Sequence, residues 1–95
     1  MSEYIMEGKI DRIGPETNTN PQYYNRELVI STVVEGREQF VCFQFSESLQ
    51  NRGTLLYKLD DYNVGETVEV QFVVKGGYSR NSGKNWVMLN AIAIN

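Results

Sequence analysis

The sequence predicts an all-β fold in one domain. Polarity alternates with period two over several stretches, turn-forming residues punctuate them, and the chain has the size and apolar content of a single small core. The clearest stretch is residues 67–75, where Val68, Val70, Phe72 and Val74 share one face while Glu69, Gln71 and Lys75 share the other. With 95 residues and 41% hydrophobic content, residues 1–95 form one domain and are too few for two.

The first strand is expected over residues 4–13, with Tyr4, Met6 and Ile10 in one phase and Gly8 between them. A glycine there permits the bend or bulge that a strand needs to serve two sides of a small barrel. Gly14 and Pro15 end it. Residues 16–25 are polar and read as a surface loop that ends in Tyr23 and Tyr24, one packing and the other facing solvent. A second strand over 26–34 places Leu28 and Ile30 in phase, and Glu35-Gly36-Arg37 supplies a short hairpin connection. The third strand, 38–45, sets Val41, Phe43 and Phe45 against Phe40, Cys42 and Gln44.

Residues 46–60 break the alternation. Leu49, Leu56 and Leu59 can line one side of a short helix, Ser46 or Ser48 can cap it, and Gly53 suggests two short turns that plug the barrel. A turn at 62–66 leads into the fourth strand. A glycine-rich loop over 76–85 then leads to a fifth, in which Val87, Leu89, Ala91 and Ala93 form the core phase and Trp86 points outward or toward the loop.

Five strands, a helix between the third and fourth, a bend glycine in the first and long loops after the first and fourth match the five-stranded Greek-key OB-fold barrel. An SH3-like barrel competes, but does not expect a helix at 46–60. The runs 41–45 (VCFQF), 62–70 (YNVGETVEV) and 85–92 (NWVMLNAI) resemble a family of small bacterial OB-fold proteins of unassigned function, itself similar to single-stranded-DNA-binding proteins. The resemblance covers nearly the whole chain, and its motifs are core-strand and turn residues, specific for fold rather than activity. Ser46 stands where relatives tend to carry an aromatic, and with the sequence closing on the fifth strand, an acidic partner-recruiting tail like that of replicative single-strand binders is not expected.

Catalysis is not expected. There is no histidine, and the single Cys42 can form neither an intrachain disulfide nor a zinc site of the usual kind; it reads as a small core or sheet residue. Asp60 and Asp61 read as a turn device, and the glycines match no phosphate-binding loop. No cofactor or metal is implied. The chain shows no basic leader and no run long enough to span a membrane, so the expected location is the cytoplasm.

Charge is unevenly placed. The formal net charge is -3, yet all 12 acidic side chains precede residue 70, and Lys75, Arg80 and Lys84 follow it unopposed. Basic groups there meet Tyr78 and Trp86. The function expected first is therefore single-stranded DNA binding, with RNA as an alternative, on the outer barrel face and the loops after strands one and four. Tyr23, Tyr24, Phe40, Tyr78 and Trp86 would stack bases, while Arg26, Arg37, Lys75, Arg80 and Lys84 hold phosphates. The competing expectation is a homo-oligomeric or protein-partner module that uses the same aromatics. Apolar groups off the core face also predict a dimer or higher symmetric oligomer.

Overall fold

The structure is a computed structural model that describes residues 3–20, 22–48 and 54–95. Its strands are β1 (Tyr4–Ile13), β2 (Thr17–Asn20), β3 (Tyr23–Val34), β4 (Arg37–Ser48), β5 (Thr67–Ser79) and β6 (Lys84–Ile94). The sheet order β1-β5-β6-β4-β3-β2, with β1 also pairing β3, closes the five long strands into a ring. β1 makes the closure: Tyr4 to Lys9 pair with β5, and Lys9 to Ile13 pair with β3. A register shift between Ile10 and Arg12 re-aims the strand. Gly8 allows the close approach, because a Cβ there would clash with the Ser31 carbonyl oxygen.

The core fills the ring with the expected phases. Ile10, Leu28, Ile30, Phe43, Phe45, Val68, Val70 and Phe72 are buried together, and Phe43 and Phe72 meet with ring centroids 4.9 Å apart. The β3–β4 connection is a two-residue turn in which Glu35 (φ 53°) and Gly36 (φ 76°) are both left-handed, and Val34 faces Arg37 across it. Two positive φ angles in a two-residue hairpin loop match the twist of the flanking strands. Gly65 (φ 95°) shapes the turn before β5, where the Asn63 N–H and side-chain amide both donate to Glu66 Oε1.

Three expectations are corrected. In place of a helix over 46–60, β4 runs on to Ser48, and the described remainder holds a five-residue 3₁₀ helix, Tyr57–Asp61. Leu56 and Leu59 enter the core from this segment; Leu49 and Gly53 lie outside the described residues. The polar loop at 16–25 is a hairpin, in which β2 pairs with β3 through Thr17 with Asn25 and Asn20 with Tyr23. The long loop at 76–85 is also strand: β5 and β6 pair out to Ser79 with Lys84, leaving a four-residue turn. Serine and asparagine marked that tip as polar, but ladder hydrogen bonds do not require apolar side chains.

Two phase assignments change with it. Gln71 faces Ala93 while Phe72 faces Ala91, so Ile92 is an extra residue and Ile94, fully buried, takes the next core position in place of Ala93. Val74 and Val87, assigned to the core phase, are 50% and 71% exposed because the hairpin projects beyond the ring there.

A buried acid anchors the segment after β4. The carboxylate of Glu47, only 6% exposed, accepts hydrogen bonds from the Thr54 hydroxyl and N–H and from the N–H groups of Leu55 and Leu56. Burial alone would push this carboxyl up, but the hydrogen bonds from Thr54, Leu56 and Leu55 outweigh it and hold the group below its ordinary range.

Candidate nucleic-acid interface

Alternation along β3 and β4 sorts the candidate side chains by face. On β3 the inward phase contains Tyr24, Arg26, Leu28 and Ile30, and the outward phase Tyr23, Asn25, Glu27, Val29 and Ser31. Tyr23 is accordingly exposed, whereas Tyr24 packs against the core. Arg26 is committed to structure. Its Nε donates to the Gly14 carbonyl at 3.0 Å, and its Nη1 donates to the Leu56 carbonyl at 3.1 Å and pairs with Asp60 at 2.8 Å. With its side chain only 12% exposed, Arg26 fastens β1 and the 3₁₀ segment to β3, so phosphate holding is replaced by this role.

On β4, Phe40 and Cys42 lie outward and exposed. Cys42 is thus a surface sheet residue rather than a core one. Partial burial first, and then the neighbouring Glu27 carboxylate, push its thiol up against the opposing effect of Arg12, which keeps it protonated and a poor nucleophile. Arg37 sits at the exposed β3–β4 turn in the phase opposite to Phe40.

The β5–β6 hairpin divides the remaining candidates. Directly paired residues share a face, so Lys75 with Met88, Gly77 with Trp86 and Ser79 with Lys84 define one side, and Val74, Tyr78, Asn85 and Val87 the other. Lys75, Lys84 and Trp86 therefore come together. Tyr78, 62% exposed, is carried to the back, and Arg80 occupies the tip.

Gly77 is the residue that sequence reasoning missed. A Cβ on it would lie 2.6 Å from Cε2 and Cζ2 of Trp86 and 2.8 Å from Nε1, so the indole rests across the backbone of the opposing strand. One face of the ring is covered and the side chain remains 48% exposed. The signal was available in the register. Once residues 80–83 form the turn, 77 must stand opposite 86, and a glycine facing a tryptophan across a ladder is a seat for the ring.

Beyond Met88 the same outward surface contains a groove of about 340 Å³ lined by Thr17, Asn25, Glu27, Gln44, Ser46 and Met88. Gln44 Nε2 donates to Glu27 Oε1 at 3.0 Å, and Ser46 donates to the Asn25 side-chain oxygen. No grouping of three His, Cys, Asp or Glu side chains that could hold a metal exists among the described residues, and none of their helices is long and apolar enough to cross a membrane.

No protein-family model and no curated protein sequence matches this chain. Solved structures do. The mitochondrial single-stranded DNA binding protein of S. cerevisiae is similar with a TM-score of 0.70 at 18% identity, over 99% of this chain and 92% of that one. The single-stranded-DNA-binding-protein (SSB) domain of a Synechococcus protein gives 0.64 at 10% identity, over 99% and 93%. A small single-stranded DNA binding protein of Mycoplasma pneumoniae gives 0.54 at 13% identity, over 100% and 92%. At these identities the likeness is one of fold: over nearly its whole length, the chain shares the closed strand arrangement of single-stranded-DNA-binding, OB-fold proteins.

Proposed function

We propose that this chain is a non-catalytic OB-barrel module that binds single-stranded nucleic acid, DNA foremost, along the outward face of β3 and β4 and the front of the β5–β6 arm. One observation carries the reading. Lys75, Lys84 and Trp86 share one side of an arm that has no acidic side chain beyond Glu69, with one face of the indole held against Gly77 and the residue 48% exposed. An open aromatic face beside cations is the combination that stacks bases while neutralising phosphates. Tyr23 and Phe40 extend the stacking surface, and Arg80 adds charge at the tip. Tyr24 and Arg26 serve the fold instead, and Tyr78 and Arg37 are left to other contacts. The fold likeness to single-stranded-DNA-binding proteins supports the reading.

The competing reading also has an observation behind it. Val74, Tyr78 and Val87 make the back of the arm apolar and uncharged, as a surface for a protein partner or a second copy would be. Titration of the full chain with oligo-dT separates the two. Strand binding quenches Trp86 fluorescence, and the double variant Arg80→Glu/Lys84→Glu abolishes it while leaving the thermal transition in place. No quenching and no retention of single strands at low salt would leave only the partner surface.

A further inference from the structure

The groove beyond Met88 is chemically unlike the arm that leads to it. Met88 follows Trp86 by two residues on the same face of β6, a step of about 7 Å along the strand, so a chain stacked on the indole continues into the groove. The arm is basic; the groove has no lysine or arginine in its lining and has Glu27 in its wall. A second hollow, lined by Gly14, Pro15, Thr17, Glu27 and Gln44, shares that carboxylate. A phosphate finds no cation in that lining, and a neutral base needs none. Met88 offers a polarizable apolar surface to a ring face, and the wall then meets the ring's edge.

From this we infer that the groove is a base-reading subsite selective for amino-bearing bases, cytosine above all among pyrimidines, with Glu27 as the residue that reads the edge. The inference rests on the proposed single-strand binding and concerns its specificity. An ionised carboxylate only accepts hydrogen bonds and has more lone pairs than its present partners use. The amide of Gln44 donates to it at 3.0 Å, and the Arg12 guanidinium stands 3.9 Å away, so its direction is fixed before a ligand arrives. With one Gln44 N–H committed to Glu27, the amide oxygen of Gln44 adds a further acceptor to that wall. An acceptor-rich wall matches the N4 amine of cytosine and opposes the O4 of uracil or thymine. Ser46, bonded to Asn25, keeps the groove open where an aromatic would fill it.

The test is a competition between oligo-dC and oligo-dU of equal length on the full chain, read by Trp86 fluorescence, because the two bases differ at the edge and not in stacking area. The expected preference for oligo-dC is at least about fivefold, the low end for one well-made base contact. In Glu27→Gln, whose side chain is 49% exposed and whose fold is checked by its thermal transition, the ratio falls to within about twofold while quenching persists. Taking the ratio cancels the general gain in affinity from removing a negative charge. Equal affinity of the unmodified chain for both strands, or an unchanged ratio in Glu27→Gln, overturns the subsite and leaves single-strand binding standing. Failure of both strands to bind overturns the proposed function as well.

Discussion

The two ends of the β5–β6 hairpin obey one alternation and meet different fates. Near the ring, Val68, Val70 and Phe72 are buried against β1 and the core; farther out, Val74, Tyr78 and Val87 continue the same phase into solvent. Periodicity specifies which side chains share a face, but not whether anything lies opposite that face. The near end is therefore a stability element, and the far end is where the proposed contacts are assigned. The β3–β4 hairpin projects similarly with Val33, Val34 and Phe40 exposed, yet its tip carries Glu35 and Glu38 beside Arg37, whereas the β5–β6 tip carries only positive charge. Two arms of similar build thus present opposite invitations to a polyanion.

The largest expected effect breaks the near end. Phe72→Ala removes a ring packed on Phe43 and Tyr4 and is expected to lower stability by about 3–5 kcal/mol, measured by denaturant titration. Val87→Ala, in the same ladder, is expected to change it by less than about 0.5 kcal/mol. A comparable loss at Val87 would mean that the arm folds back on the ring.

Next in size is the acid that ties the 3₁₀ segment to the ring. Replacing Glu47 by Gln exchanges a charged acceptor of several N–H and O–H donors for a neutral one and is expected to cost about 1.5–3 kcal/mol. The pH dependence has a definite sign. Because the folded carboxyl is held below the ordinary value of 4.5, its contribution is complete above that pH and is lost as the pH falls through the depressed folded value. Thermal transitions of the unmodified chain should therefore decline more steeply below pH 4.5 than those of Glu47→Gln. Parallel declines would show that the carboxylate is not the titrating group.

These contrasts also explain what the sequence made legible. Leu28, Ile30, Phe43, Phe45, Val68 and Val70 could be assigned to the core because an unbroken period of two locks register. Gly8 signalled the shared strand correctly. The 46–60 region differs from the expectation because Leu56 and Leu59 can reach a core from a short 3₁₀ segment as well as from a longer helix, and nothing local in the sequence marks Glu47 as the residue that organises the segment. The candidate site suffered from the same blindness to partners. Arg26 looked like a phosphate ligand because its link to Asp60 spans 34 residues, and Gly77 looked like loop because its role depends on the residue across the ladder.

A smaller effect tests the seat at Gly77. Adding a methyl group in Gly77→Ala displaces the indole, and the proposed binding should weaken by part of one base stack, roughly 1 kcal/mol, with reduced Trp86 quenching. Salt dependence should stay as it was, since no cation has moved. Undiminished quenching would show that the indole binds without being seated.

The smallest effect resolves the charges of the far end one at a time. Each phosphate neutralised on a single strand contributes about -0.7 to the slope of log affinity against log salt. With Lys75, Arg80 and Lys84 engaged, affinity should fall by roughly twentyfold between about 50 and 200 mM salt, which is modest for a nucleic-acid binder and fits a chain of net charge -3. Lys84→Ala should make the slope shallower by about 0.7, so that the same change in salt costs about threefold less. Arg37→Ala, on the arm that carries Glu35 and Glu38, should leave the slope where it was. The comparison matters more than either value, because a slope that responds to Arg37 and not to Lys84 would place the phosphates on the β3–β4 arm and exchange the roles assigned to the two hairpins.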